Sequence, residues 1–183
     1  NVMAGIREPF WRDANADLLG KLHRDFHHLN SSQAMCFNFF YPFFCLADNP
    51  GILLGVLGYP NASVESRKFE YVADPRESTH FDFYMRLTGG PELLFEVKLT
   101  ESGFGAVTPN EKREAKRESI YVPALRGKVK PEFLDPPKFF NHYQLLRNIS
   151  YVKQDGSVVL YLIAPLANPS TAREVELLDE ILE

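Results

Sequence analysis

The chain has 183 residues, 45% of them hydrophobic and 24% charged, which fits one soluble globular domain with a sizeable core and excludes a disordered segment. A formal net charge of -4 at pH 7 argues against a protein that coats nucleic acid over its whole surface, and leaves room for a local basic cleft. Cys36 and Cys45 share one apolar stretch without metal-ligand spacing, so core thiols are expected rather than a disulfide framework or a zinc site. No apolar run reaches the ~20 residues of a membrane span, and a cytoplasmic location is expected.

Residues 1–29 read as an N-terminal helical extension, with Leu18, Leu19, Leu22 and Phe26 at helical spacing from Ala14 to about Phe26. His23, His27 and His28 show i, i+4 and i+5 spacing, but they lack a third metal ligand. The run Asn30-Ser31-Ser32-Gln33 looks like a helix start with Ser or Asn as cap, and the apolar stretch Ala34 to Leu46 should form a buried helix broken at Pro42. A short strand is expected at Lys68 to Val72.

The most informative stretch follows. In His80-Phe81-Asp82-Phe83-Tyr84-Met85-Arg86-Leu87 apolar and polar residues alternate, which predicts a half-buried strand. Phe81, Phe83, Met85 and Leu87 share one face, and His80, Asp82, Tyr84 and Arg86 share the other. In Leu93-Leu94-Phe95-Glu96-Val97-Lys98-Leu99 the residues Glu96 and Lys98 lie two apart on one face. Gly89 and Gly90 between the runs suit a tight reversal. A hairpin would gather Asp82, Glu96 and Lys98 on one face, a hard-cation site with a lysine able to orient water. The competing account is a solvated strand face with a cross-strand salt bridge worth about 0.5 kcal/mol.

Residues 102–135 read as a charged insertion, helical over 109–119 and otherwise a long loop. Glu111, Glu114 and Glu118 interleave with Lys112, Arg113, Lys116 and Arg117, as helix-surface ion pairs do. Arg126, Lys128 and Lys130 have no acidic neighbour before Glu132, which makes them the better phosphate contacts. A helix opened by Pro136-Pro137 should run through Tyr151 with Asn141, Gln144 and Asn148 on one stripe. The apolar run Ser157 to Leu166 predicts a strand buried on both faces. Thr171-Ala172-Arg173-Glu174 fits a capping box for a last helix.

Asp82, a spacer and Glu96-Val97-Lys98 together resemble the PD-(D/E)XK nuclease superfamily, with Phe81 standing where the motif's proline would be. The stretches 28–34 and 141–148 are similar to a bacterial group of restriction endonucleases. The resemblance implies an α/β restriction-endonuclease-like core: a mixed central sheet of three antiparallel strands, a helix and a further strand, flanked by helices in a single domain over 1–183. It further implies a Mg²⁺-dependent (or Mn²⁺-dependent) DNA endonuclease. Asp82, Glu96 and the Val97 carbonyl would hold the cation, Lys98 would serve the attacking water or the phosphate, and Glu70 would be an extra carboxylate. Gln144 and Arg147 would reach DNA, and a symmetric double-strand cut would favour a homodimer. Alternatives are a repair or recombination nuclease of the same fold, and a nuclease-like module that binds without cutting.

Overall fold

The computed structural model describes all residues except Asn1, Asn15, Ala47, Asp48, Arg76, Ser78, Ser102, Phe104 and Leu166, and describes no side chain for Ala16, Asp17, Cys45, Leu46 and Glu174. The chain forms two compact units. The first comprises Asn1–Thr100 with Tyr161–Ile163, and the second comprises Glu101–Leu160 with Ala164–Glu183.

The α/β class and the mixed four-stranded sheet hold, with β1 (Val64–Asp74), β2 (Thr79–Leu87), β3 (Glu92–Val97) and β4 (Val158–Ile163) adjacent in that order. β1–β2 and β2–β3 are antiparallel, with Phe69 opposite Phe83 and Phe83 opposite Phe95. The Gly-Gly reversal forms as expected: Gly89 takes φ +64°, where glycine carries no Cβ penalty, and Gly90 N donates to Leu87 O at 3.1 Å. Lys98 N donates to Ile163 O at 2.8 Å, which ties the end of β3 to β4.

Alternation in β2 gives the first unit its core. Phe81, Phe83, Met85 and Leu87 are buried. Helix α3 (Ser32–Tyr41) covers them: the Phe40 ring stacks on Phe83 at 4.2 Å, and Phe37 meets Phe69 at 4.5 Å. The expected cap is present, since Ser31 Oγ accepts from Ala34 N at 3.2 Å. Proline does not break the apolar run. The chain passes into a wider π turn over Pro42–Leu46, which accommodates a ring without an N–H. Cys36 is a buried free thiol, and the side chain of Cys45 lies outside the described residues.

The N-terminal segment differs from expectation. The helix expected from Ala14 to Phe26 is replaced by α1 (Ala4–Asp13) and a short α2 (Ala16–Gly20), followed by turns. Val2, Ile6 and Phe10 pack with Phe26, Phe37 and Tyr41 in the core of the first unit. A helix absent from the expectation, α4 (Gly51–Val56), precedes β1.

In the second unit, helix covers more than 109–119. α5 (Glu111–Lys116), a π turn (Arg117–Tyr121) and α6 (Val122–Leu125) run without a break. The long expected helix is two, α7 (Pro136–Asn141) and α8 (Tyr143–Ser150), parted at His142, whose φ −116° and ψ 30° are not helical. β4 is an edge strand with all six residues partly exposed, not the doubly buried strand expected, because the sheet ends there. The last helix, α9 (Pro169–Ile181), starts earlier than expected: Asn168 Oδ1 caps Ser170 N at 3.1 Å, and Pro169 takes the first helical position. The other half of the expected capping box, Glu174, has its side chain outside the described residues.

Candidate active site

Continuing the β2–β3 register by one residue beyond Phe83 and Phe95 sets Asp82 opposite Glu96. Continuing the β1–β2 register between Phe69/Phe83 and Tyr71/Phe81 sets Glu70 opposite Asp82. Three acidic residues therefore occupy neighbouring positions across β1, β2 and β3. Three large side chains beside the row, Tyr84, Leu94 and Lys98, are buried, and so is Glu96 itself. Around Glu96 the polar face of this hairpin is enclosed, while Asp82 and Arg86 are partly exposed and His80 is open to solvent.

Each carboxylate is held differently. Asp82 Oδ2 accepts from Val97 N at 2.6 Å. Burial first, and then the negative charge of Glu96, push its carboxyl well above the ordinary range; the Val97 N–H opposes this, Glu70 adds to it, and Lys98 opposes it. Glu96 Oε1 lies 2.8 Å from Lys98 Nζ in a pair whose side chains are both almost fully enclosed.

Glu70 has φ +50°, the only described non-glycine residue with a positive φ. A left-handed conformation costs an ordinary residue about 1 kcal/mol or more. The kink has a visible consequence. Phe69 points to the core against Phe83 at 4.8 Å, while Tyr71 stacks on Tyr84 at 4.0 Å, on the opposite face of the sheet. Glu70 is buried, its Oε1 accepts from Gln33 Nε2 at 2.7 Å, and its Oε2 lies 3.7 Å from His80 Nδ1. Burial raises its pKa, opposed by Gln33, His23 and His80. The thiol of Cys36 on α3 is pushed well up by burial and then by Asp82, Glu70 and Glu96, so all three carboxylates act on one point of the interior.

Sequence reasoning brought Asp82, Glu96, Lys98 and Glu70 to one face, but it read Gln33 only as part of a helix cap and gave His80 no role. The signal for His80 was its place on the Asp82 face. Gln33 is 37 residues from Glu70, and no local pattern marks that contact.

The DNA-contact candidates lie in the second unit. Arg126 is exposed. Lys128 Nζ donates to Ser150 O at 3.1 Å and Val152 O at 2.7 Å, and Lys130 Nζ donates to Glu180 O at 2.9 Å. Both lysines are thus occupied at the ends of α8 and α9. Gln144 lies against Gly105, where a Cβ would come within 2.9 Å of its Oε1. Arg147 sits over the Tyr143 ring at 5.9 Å, and its Nε is buried without a hydrogen-bond partner among the described residues. Asn148, expected on a polar stripe, is fully buried. Arg117 forms the i,i+3 pair with Glu114 at 3.1 Å, also pairs with Glu118, and donates to Leu134 O at 2.6 Å.

The sequence matches, over residues 1–183, the family described as Restriction Endonuclease associating with ARP. The chain belongs to that family. No curated protein and no solved structure matches it. For a restriction-endonuclease family member DNA is the substrate class the family name points to, and no helix among the described residues is long and apolar enough to cross a membrane.

Among the described residues no group of three or more His, Cys, Asp or Glu side chains gathers to cage an ion. Two opposed carboxylates in a desolvated row fit a hard cation that keeps waters and takes substrate phosphate oxygens as further ligands, as Mg²⁺ does.

Proposed function

We propose that this family member is a Mg²⁺-dependent DNA endonuclease of the PD-(D/E)XK type, working as a restriction enzyme. The observation that carries the reading is the Asp82–Glu96 pair: two carboxylates opposed on adjacent strands, Asp82 pushed strongly toward protonation, with Lys98 on Glu96. A protein has no structural need for that repulsion, and a divalent cation removes it.

Asp82 and Glu96, with the Val97 carbonyl, would hold the cation, which when bound supplies a Lewis acid and lowers the pKa of water. Val97 N fixes the Asp82 carboxylate through its Oδ2. Lys98 Nζ, held by Glu96, orients the attacking water or stabilises charge on the phosphate. Glu70 adds negative charge at the end of the row. Arg126, Arg147 and Gln144 are the proposed DNA contacts; Lys128 and Lys130 reach phosphate only by leaving their carbonyl partners. The association with ARP in the family description is carried to this chain as part of the same reading.

The test is incubation of supercoiled plasmid with the protein in Mg²⁺, with EDTA and Asp82→Asn as controls. Discrete bands that need Mg²⁺ and Asp82 are expected. A Mg²⁺-dependent smear would indicate a nuclease without restriction specificity. No cutting of any duplex, with binding retained, would make this a DNA-binding module.

A further inference from the structure

Gln33 is buried at 1% exposure inside the first unit and makes three side-chain hydrogen bonds, with both amide donors used. Its Nε2 donates to Glu70 Oε1 at 2.7 Å and to Lys21 O at 3.1 Å, and its Oε1 accepts from His23 N at 2.8 Å. The arrangement fixes the amide orientation. A flipped amide would put its oxygen against a carbonyl and a carboxylate, and its nitrogen against an N–H. Gln33 is therefore a pre-set donor aimed at one oxygen of Glu70. Glu70 is itself held at φ +50° and receives Lys21 Nζ on its carbonyl at 3.4 Å. Strain of this kind persists only where the surroundings over-determine it, and it is enriched at functional sites.

Resting on the nuclease reading above, we propose that Gln33 is a positioning residue: through its bond to Oε1 it sets Glu70 at the end of the Asp82–Glu96 row, so that cation binding depends on α3 as well as on the sheet. Gln33 touches neither cation nor substrate. It acts by fixing the charge that Glu70 places beside the pair, and loss of a partner outside a metal's direct ligands costs about 10- to 100-fold in metal affinity.

The experiment is calorimetric titration of the whole chain with Ca²⁺ alone, without DNA, for wild type, Gln33→Met, Glu70→Gln and the double variant, with Mg²⁺-dependent cleavage measured in parallel. Gln33→Met should weaken Ca²⁺ binding by about 10-fold or more. The double variant should bind no more weakly than Glu70→Gln alone, since Gln33 acts only through Glu70. In cleavage kcat should fall while KM for DNA stays constant. If Gln33→Met does not fold, Gln33→Asn carries the same comparison, because its amide falls one methylene short of Glu70. Wild-type Ca²⁺ affinity in the Gln33 variant, or additive losses in the double variant, would overturn the inference while leaving the nuclease reading intact. A wild-type chain that neither binds Ca²⁺ nor cuts DNA would overturn both.

Discussion

The two units handle charge in opposite ways. In the second, the basic residues of the 111–130 segment are largely satisfied from within. Arg117 is tied to Glu114, Glu118 and Leu134 O, Lys128 to the carbonyls of Ser150 and Val152, and Lys130 to Glu180 O. Cations at helix C-termini complete the unpaired carbonyls there. In the first, Glu70, Asp82 and Glu96 stand side by side on neighbouring strands, and burial and mutual repulsion favour the protonated form of Asp82. A charged cluster that is already satisfied explains stability. One that is buried against its own repulsion calls for something from outside.

The largest effect that would break this contrast is on Asp82. Asp82→Asn keeps an acceptor for Val97 N but removes the charge, so cleavage should drop to background while the cation-free protein melts at a higher temperature than wild type. A mutant that melts lower and still cuts would show that Asp82 is a structural ion-pair member.

Lys98→Ala comes next. The residue is enclosed with Glu96, so its loss strands a buried carboxylate, and a destabilisation of about 3 kcal/mol is expected, measured by denaturant unfolding. Cleavage by the remaining folded protein at low temperature should fall roughly 100-fold or more. Full activity per folded molecule would leave Lys98 only a structural role.

The pH dependence sharpens the same contrast. Asp82 and Glu70 both have folded pKa values raised above the unfolded carboxylate range. Between the unfolded and folded values the folded state holds more protons, so stability falls as pH rises through that window and stays lower above it. Melting in EDTA should therefore be higher at about pH 5 than at pH 7, with unfolded carboxylates titrating near 4. Saturating Ca²⁺ should close the gap, and a melting temperature that rises from pH 5 to 7 in EDTA would refute the assignment.

The smallest effects separate the basic residues. Lys128→Ala should cost about 1 kcal/mol of stability through its carbonyl bonds. Arg126→Ala should leave melting unchanged and, as a phosphate contact, lower the log–log salt slope of DNA binding in Ca²⁺ by about one unit. An unchanged slope would remove Arg126 from the DNA path.

Local periodicity was enough to read the hairpin. The period-two alternation of residues 80–87, the Gly-Gly reversal and the Glu96–Lys98 spacing fix which side chains share a face, because a strand turns its side chains by half a revolution per residue whatever surrounds it. The Ser31 cap was legible for the same reason, since a cap bond spans only three residues. Helix boundaries were less legible where competing signals lay close together. The leucines of 18–22 looked like one helix to Phe26, yet only Ala16–Gly20 is helical; Leu18, Leu22 and Phe26 still join the core, beside Val2, Ile6 and Phe10 of an earlier helix.

That Asp82, Glu96 and Lys98 share one sheet face was readable from strand periodicity and one tight turn. It took the folded chain to bury Glu96 and Lys98, to kink the backbone at Glu70, to bring Gln33 on α3 to Glu70 and to set Lys128 and Lys130 on helix-end carbonyls. The Gln33, Lys128 and Lys130 contacts join residues between 22 and 50 positions apart. The free energy that selects such contacts, desolvation of charge set against packing of distant side chains, leaves no period in the chain to read.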